Sequence, residues 1–116
     1  MDNLDKKTEI RPWGSFEQFT QNKESTVKII TIKAGEEFSL QTHTNREEFW
    51  RILRGSATVT VGDVVNEATV GDEFFVPINT PHRIAAGEET VEVLEISFGE
   101  FDEDDIVRLE DRYGRV

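Results

Sequence analysis

The residues of this chain best suited to bind a metal ion are its two histidines, His43 and His82, because the sequence contains no cysteine. Side chains along a β-strand alternate between the two faces of the sheet. Gln41 and His43 therefore share one face of a predicted strand, and His82 shares a face with the apolar Ile84. Each histidine is predicted to point towards the interior of the fold.

Glu48 adds a carboxylate to this inward set, since it shares a strand face with the bulky Trp50 and Ile52. Two imidazoles, a carboxylate and the Gln41 amide form a donor set for a divalent metal ion. Taken singly, each of these residues is more often an ordinary hydrogen-bonded group at a strand end. Their joint spacing favours a metal site.

The elements that must position these residues are short runs rich in β-branched and aromatic residues, separated by Gly, Pro and Asn. No helical pattern interrupts them before residue 100, which predicts an all-β sandwich or barrel rather than alternating strands and helices. The predicted strands are Gly14–Thr20, Val27–Lys33, Glu37–His43, Glu47–Leu53, Ala57–Val61, Glu73–Val76, His82–Ala86 and Thr90–Phe98.

The two ends of the chain differ from this pattern. Residues 1–10 are polar without periodicity and predict a flexible lead-in to a single domain over 11–116. At the other end, Ile106 and Leu109 are spaced as on one helix face behind a run of acidic residues, so Asp104–Arg112 predicts a short C-terminal helix.

The composition restricts the partners. The 116 residues include 24 acidic and 13 basic side chains and carry a formal charge of −11. Binding to nucleic acid or to an anionic membrane depends on neutralising phosphates with Lys and Arg, so neither partner is expected. The absence of cysteine and the acidic N-terminus, which does not resemble a signal peptide, predict a cytoplasmic protein.

The spacing of the candidate ligands resembles the two motifs of the cupin superfamily. The first runs G-x5-Q-x-H-x4-E-x6-G from Gly35 to Gly55, and the second runs G-x5-P-x-N-x2-H from Gly71 to His82. The resemblance implies a double-stranded β-helix, the jelly-roll barrel of cupins, holding one divalent metal ion on Gln41, His43, Glu48 and His82. Asn79 takes the place of a turn glycine, which Asn tolerates because it accepts the left-handed conformation.

A closer resemblance, over residues 11–115, is to the type II mannose-6-phosphate isomerase family, which also forms the C-terminal cupin domain of bifunctional mannose-1-phosphate guanylyltransferases. The segments that carry it are Arg11-Pro12-Trp13-Gly14, Leu40-Gln41-Thr42-His43, Pro81-His82-Arg83 and Asp104-Asp105-Ile106-Val107-Arg108. In that family Gln is the usual residue at the first ligand position. The nucleotidyltransferase half has no counterpart in this sequence.

The resemblance implies interconversion of mannose 6-phosphate and fructose 6-phosphate through an enediol, with zinc, manganese, cobalt or nickel as the metal ion. It makes Arg108 and Glu48 the candidate catalytic residues. Arg83, Arg46 and Lys33 are candidate contacts to the phosphate of the sugar. The sequence departs from the family at Asn45 and Phe49, where histidine is usual, and at Ile29, where a basic residue is usual.

Other functions remain open on the sequence alone. The main alternative is a non-catalytic cupin that contains a metal and binds a sugar phosphate or a sugar nucleotide. Metal-dependent oxygen chemistry and a purely structural metal site are further alternatives. Two strands are apolar on both faces, with Val27 and Ile29 opposite Ile30 and Ile32 in one of them, so we also expect a two-fold homodimer packed sheet against sheet.

Overall fold

The computed structural model describes residues 6–115 as eleven β-strands, and these residues contain no helix. The expected all-β class is confirmed. The strands are β1 Lys7–Arg11, β2 Gly14–Gln18, β3 Ser25–Ile32, β4 Leu40–Thr42, β5 Arg46–Arg54, β6 Ala57–Val61, β7 Val64–Ala68, β8 Glu73–Val76, β9 His82–Ala86, β10 Val91–Gly99 and β11 Val107–Glu110.

Two sheets enclose the core. One has four strands in the order β3-β10-β5-β8, and the other has five in the order β11-β4-β9-β6-β7. All their pairings are antiparallel. A third sheet consists of β1 and β2 alone. No helix in the described range is long and apolar enough to cross a membrane.

The core lies between the two large sheets and follows from the alternation of side chains. In β5, Trp50 and Ile52 point inward and are completely buried, and they meet Val59 and Ile84 of the opposite sheet. The same inward face of β5 continues to Glu48. The alternation that buries Trp50 and Ile52 therefore also places the Glu48 carboxylate at one end of the core.

The prediction of a C-terminal helix is wrong. Val107–Glu110 is strand β11, which pairs antiparallel with β4 and aligns Arg108 with Gln41. The other side of β4 pairs with β9, so without β11 the backbone of β4 would be an unpaired sheet edge. As strand β11, the segment gains backbone hydrogen bonds to this edge. An isolated helix of the same length would be only marginally stable in water.

Two further strands were not predicted. β1 lies mostly within residues 1–10, for which the sequence predicts a flexible lead-in and of which residues 1–5 lie outside the described part. It is paired along its whole length with β2. β7 forms a hairpin with β6 across Gly62, which has a φ of 61°. Asn79 adopts the expected left-handed conformation with a φ of 56°, and its backbone N–H donates to the carbonyl of His43 at 2.7 Å.

Candidate metal centre

The structure brings His43, Glu48 and His82 together at one end of the core. His43 follows β4 directly, Glu48 lies in β5 and His82 opens β9. Each residue is at most 3% exposed, and one ligand atom from each lies within 4.8 Å of the other two. The five-stranded sheet supplies both histidines and the four-stranded sheet supplies the carboxylate.

The imidazoles converge on a single carboxylate oxygen. Nε2 of His43 lies 3.1 Å from Oε1 of Glu48, and Nε2 of His82 lies 3.7 Å from the same atom. The other oxygen, Oε2, accepts a hydrogen bond of 3.1 Å from the indole N–H of Trp50. Trp50 therefore fixes one oxygen of Glu48 by a hydrogen bond, and the other oxygen faces the two histidines.

The remaining ring nitrogens are fixed by backbone carbonyls. Nδ1 of His43 donates to the carbonyl of Asp105 at 2.6 Å, and Nδ1 of His82 donates to the carbonyl of Thr80 at 2.8 Å. A carbonyl can only accept, so both Nδ1 atoms carry hydrogen. This arrangement orients Nε2 of each ring towards Glu48, as carbonyl partners do for metal-binding histidines.

The electrostatics favour the protonation states that bind metal. Burial lowers the pKa of His82, which keeps its imidazole neutral. Burial opposes ionisation of Glu48, but its close contact with His43 and the positive charge of Arg46 outweigh it and hold the pKa of Glu48 below its ordinary value. Neutral imidazole and ionised carboxylate are the forms that coordinate divalent metals.

The cluster fits a divalent metal ion. Within residues 6–115, Nε2 of His82 is buried and has no hydrogen-bond partner. A buried acceptor left unpaired costs about 1–3 kcal/mol, and a cation shared with His43 and Glu48 would remove this cost. Two imidazoles and a carboxylate suit several first-row transition metals.

Gln41 lies next to the three ligands but presents its amide nitrogen to them. Nε2 of Gln41 is 3.3 Å from Nε2 of His43, while its Oε1 accepts a hydrogen bond of 2.7 Å from the hydroxyl of Ser39. A hydroxyl can donate or accept, so a half-turn of the amide keeps a partner on Ser39. That turn would direct the amide oxygen to the cluster, as a fourth ligand requires.

A cavity of about 270 Å³ opens beside the cluster. Most of its lining is polar, and both positive and negative side chains reach it. It is lined by the candidate metal ligand Glu48 together with side chains from four other strands, so a molecule bound here would lie beside the candidate metal site. Its polar lining includes Lys28, Gln41, Arg46, Glu48, Glu95 and Arg108.

Arg108 lines this cavity because β11 pairs with β4. Its Nε is buried and, within residues 6–115, has no hydrogen-bond partner. Strand pairing, rather than the predicted helix, therefore brings Arg108 beside the candidate ligand Gln41. Ile106 also lines the cavity, but Leu109 is exposed.

Arg46 is a buried cation beside the cluster. Its Nε lies 3.5 Å from Oε1 of Glu48, and its Nη1 donates to the carbonyl of Asp102 at 3.0 Å. Its guanidinium lies 4.5 Å from the ring centre of Phe101. These contacts hold Arg46 in place at the wall of the cavity.

The other two predicted phosphate contacts lie elsewhere. Arg83 is on the opposite face of β9 from His82, where it donates to the carbonyl of Phe38 at 3.2 Å and lies 3.8 Å from a carboxylate oxygen of Glu37. Lys33 is exposed after the end of β3. Neither side chain lines the cavity beside the metal cluster.

Glu95 is a residue of the cavity that the sequence analysis missed. It is buried in β10, its Oε1 accepts a hydrogen bond of 3.1 Å from Ser97, and Nζ of Lys28 lies 3.8 Å away. Burial and the neighbouring Glu48 carboxylate raise the pKa of Glu95. The signal was present in the sequence, because Glu95 shares a strand face with the buried Val91 and Val93.

Asp105 was missed for a different reason. Its carboxylate accepts hydrogen bonds from the backbone N–H groups of Thr44 and Asn45, both at 2.9 Å, and its carbonyl orients His43. These contacts lower the pKa of Asp105 to about 2, with the hydrogen bond from the Thr44 backbone as the largest cause. Nothing in the sequence separates Asp105 from the other acids of the same run.

The positions that depart from the family lie outside the cavity. Phe49 points away from the core, and its ring centre lies 5.5 Å from that of Phe19. Ile29 is exposed on the outer face of β3, and Asn45 is exposed in the loop before β5. The absence of histidine at Asn45 and Phe49 therefore removes no group from the lining of this cavity.

Comparison with known proteins gives relatives named as xanthan biosynthesis, alginate biosynthesis and mannose-1-phosphate guanylyltransferase proteins. The chain is 40% identical over 108 residues to the xanthan biosynthesis protein XanB of Xanthomonas campestris and 41% identical over 108 residues to the alginate biosynthesis protein AlgA of Pseudomonas aeruginosa. It is 36% identical over 108 residues to the mannose-1-phosphate guanylyltransferase ManC of Salmonella typhimurium. Each match covers 91% of this chain but only 22–23% of the relative, so the chain spans less than a quarter of their length.

Solved structures show the same architecture. A protein of Klebsiella pneumoniae with a double-stranded β-helix domain superposes with a TM-score of 0.66 at 17% identity, covering 79% of this chain and 80% of that one. Oxalate decarboxylase of Bacillus subtilis gives 0.68 at 28% identity, covering 75% and 24%. A protein of Acidithiobacillus ferrooxidans described as a sugar phosphate isomerase gives 0.60 at 26% identity, covering 69% and 53%.

The family assignment rests on the whole domain rather than on the ligand motifs alone. The family model for the C-terminal domain of mannose-6-phosphate isomerase matches residues 2–111. The match includes both histidine motifs, the β11 segment with Arg108 and the N-terminal hairpin. This chain is a cupin domain of the mannose-6-phosphate isomerase C-terminal family.

Proposed function

We propose that this domain is a metal-dependent sugar-phosphate isomerase that interconverts mannose 6-phosphate and fructose 6-phosphate. The observation that carries the proposal is one cavity lined by Glu48 of the candidate metal site, by Gln41 beside it, by the carboxyl group of Glu95 and by Arg108. An aldose–ketose isomerisation needs a polarising cation, a proton-transfer group and stabilisation of negative charge. Membership of the family supports the substrate class.

His43, Glu48 and His82, with Gln41 as the fourth ligand, would hold the metal ion. When bound, a divalent ion polarises the carbonyl and hydroxyl oxygens of the substrate. The indole of Trp50 and the carbonyls of Asp105 and Thr80 keep the ligands in position through the hydrogen bonds described above. Glu48 is then a ligand, which leaves the transfer of the proton to another group.

Two carboxyl groups that line the cavity, Glu95 and Glu103, lie outside the three candidate metal ligands, and Glu95 is the buried one of the two. In its ionised form it would take the proton from C2 of the aldose while the oxygen on C1 gains one, which gives the enediol. The hydroxyl on C2 then loses its proton to form the ketone, and Glu95 returns its proton to C1. No atom is gained or lost. Ser97 and Lys28 hold the Oε1 end of the group in place.

Arg108 would bind the negative charge that develops on the substrate oxygens. A guanidinium presents a planar fork of donors to such charge, and the buried Nε of Arg108 has a hydrogen-bond donor to offer. Lys28 and Arg46 add positive charge to the cavity wall. The lining has four basic side chains against three acidic ones, and this small local excess of positive charge suits a phosphorylated substrate even though the chain carries a net −11.

A second candidate function is a binding module that recognises a sugar phosphate or a sugar nucleotide without converting it. The observation in its favour is the contact between Arg46 and Glu48 at 3.5 Å, because it already neutralises the buried carboxylate. Such a module would use the same basic side chains around the cavity. It would not move a proton on the sugar.

Exchange of the C2 hydrogen separates the two functions. We expect the protein, loaded with manganese, cobalt, zinc or nickel, to transfer deuterium from deuterated buffer to the sugar when incubated with mannose 6-phosphate, as followed by NMR and mass spectrometry. Unphosphorylated mannose is the control and should exchange far more slowly. Calorimetric binding of mannose 6-phosphate without any exchange, with every metal, would reject the isomerase and favour the binding module.

Replacing Arg108 with lysine is expected to lower kcat roughly ten-fold or more while KM and metal content stay within a few-fold of the wild type. The reason is that the point charge of lysine cannot reproduce the fork of donors in the transition state. Arg112→Lys is the matched control, since Arg112 is exposed and contacts Glu36 outside the cavity. A rise in KM alone would place Arg108 on the phosphate, and an unchanged Arg108→Ala would exclude any role in the reaction.

A further inference from the structure

The cavity beside the metal cluster (the metal cavity) adjoins a second cavity of about 480 Å³. The linings of the two cavities share Ile30, Phe38 and Arg115. Lys28, Ile30 and Ile32 lie on one face of β3. Of these, Lys28 lines only the metal cavity and Ile32 lines only the second cavity. The two cavities therefore follow one another along β3, and Ile30 lies at their junction.

Three of the four basic side chains that line the metal cavity lie beside the metal ligands or the proposed base. Nε of Arg46 is 3.5 Å from Oε1 of Glu48, and Arg108 lies in β11, which pairs with β4. Nζ of Lys28 is 3.8 Å from Oε1 of Glu95. The fourth basic side chain lies at the junction with the second cavity.

This fourth side chain is Arg115, in a turn that follows β11. Asp111 closes the turn, because its carboxylate accepts the backbone N–H of Arg115 at 2.8 Å. The same carboxylate accepts hydrogen bonds from Nε and Nη2 of the guanidinium at 2.6 and 3.0 Å. These bonds orient one edge of the guanidinium and do not use Nη1. The side chain is 48% exposed, so its other edge is open to a ligand.

The two acidic residues of the second cavity, Glu36 and Glu37, are already paired with a cation. Arg112, which lines neither cavity, lies 3.4 Å from Glu36 and 3.5 Å from Glu37. The hydroxyl of Tyr113 also donates to Glu36. Lys33 adds an exposed cation to the lining beside the junction. The local charge around the second cavity therefore does not exclude an anionic ligand.

The spacing along β3 matches the length of a phosphorylated sugar. Glu95 pairs with Lys28 across the sheet, and Ile30 lies two residues further along β3, a rise of about 7 Å. In mannose 6-phosphate the phosphate is on C6, far along the carbon chain from C2. With bonds of about 1.5 Å, the open chain spans about 7 Å between C2 and the phosphate. A sugar with C2 at Glu95 would therefore place its phosphate at the junction of the cavities.

We propose that Arg115 binds the phosphate group of the substrate and so selects phosphorylated sugars. This inference rests on the proposed function, because it takes the C1 and C2 end of the sugar to lie beside the metal site. A guanidinium presents parallel N–H donors that match the oxygens of a phosphate. The phosphate lies away from the reacting carbons, so Arg115 is a specificity-determining residue rather than a catalytic one.

Calorimetry with mannitol 6-phosphate tests this contact without any reaction, because the reduced sugar phosphate has no carbonyl group. We expect Arg115→Ala to weaken its binding to the whole chain about ten- to hundred-fold, the loss typical of hydrogen bonds to a charged group. Binding of unphosphorylated mannitol should stay as weak as in the wild type. Arg115→Lys should recover part of the affinity, because lysine restores the charge but not the fork of donors.

Arg54→Ala is the matched control for the loss of one positive charge. Arg54 is exposed, lies 3.6 Å from Glu92 and lines neither cavity, so this variant should bind mannitol 6-phosphate like the wild type. Equal affinity of the wild type and Arg115→Ala for mannitol 6-phosphate would overturn the inference. An equal loss of affinity for mannitol would also overturn it, because Arg115 would then contact the sugar rather than the phosphate.

Kinetics with mannose 6-phosphate separate Arg115 from Arg108. Arg115→Ala should raise KM by a factor similar to its loss of affinity and leave kcat nearly unchanged, whereas Arg108→Lys is expected to lower kcat. Exchange of the C2 hydrogen that is unaffected in Arg115→Ala at low substrate concentration would overturn the phosphate contact alone. Weaker binding of mannitol 6-phosphate in Arg115→Ala, together with no exchange in the wild type, would overturn the isomerase and support the phosphate contact.

Discussion

Replacing His82 with alanine is expected to abolish stoichiometric metal binding, as measured by elemental analysis after loading with manganese, cobalt, zinc or nickel. His82 supplies one of the three converging ligands, and its Nε2 is the buried acceptor that lacks a hydrogen-bond partner within residues 6–115. Metal that binds only the native state adds its binding free energy to stability. At a hundred-fold excess over Kd this amounts to about 2.7 kcal/mol, or a rise in Tm of about 10 °C for a domain of this size.

The measurement is the difference in Tm with and without metal, which should fall to near zero in the variant. This difference is independent of the stability that the variant loses by creating a cavity. Arg83→Ala is the matched control, because Arg83 is the next residue of β9 and points to the opposite face. It should keep both the metal and the Tm difference. A His82→Ala protein that binds as much metal as the wild type, or a wild type that takes up none of the four ions, would contradict the metal centre.

The cluster of His43, Glu48 and His82 could be predicted from the sequence, because it depends only on the alternation of side chains along strands and on the spacing of the ligand motifs. Glu48 lies on the face of β5 that Trp50 and Ile52 define, and any register that buries those two residues also buries Glu48. The turn at Asn79 likewise follows from local chemistry, since its φ of 56° suits Asn. At these positions the local conformational preference of the residues and the burial of apolar side chains favour the same structure.

The C-terminal segment could not be predicted because its structure depends on a distant partner. The spacing of Ile106 and Leu109 fits a helix, but the open edge of β4 lies more than sixty residues away in the chain and determines the outcome. The family resemblance likewise did not predict which face of the sheet Phe49 occupies. A family position can lie next to a ligand in sequence and still face the other side of the sheet, as Phe49 does beside Glu48.

Glu95→Gln is expected to lower C2 hydrogen exchange of mannose 6-phosphate by about 10²–10⁴-fold, the range typical for loss of a positioned acid–base group. Glutamine keeps the size of the side chain and can still accept the hydrogen bond from Ser97, but it cannot take a proton. Metal content and the affinity for mannose 6-phosphate should remain within a few-fold of the wild type, because Glu95 lies outside the group of three ligands.

Two further variants separate proton transfer from a structural role of Glu95. Glu92→Gln changes a carboxylate on the opposite face of the same strand, where Glu92 lies 3.6 Å from Arg54, and it should exchange at the wild-type rate. Glu95→Asp keeps the carboxyl group but shortens its reach, so it should recover part of the exchange that Glu95→Gln loses. If Glu95→Gln lost the metal as well, Glu95 would belong to the coordination of the ion. If it exchanged hydrogen at the wild-type rate, the proton would move through Glu48, Glu103 or water, and the proposed role of Glu95 as the base would be wrong.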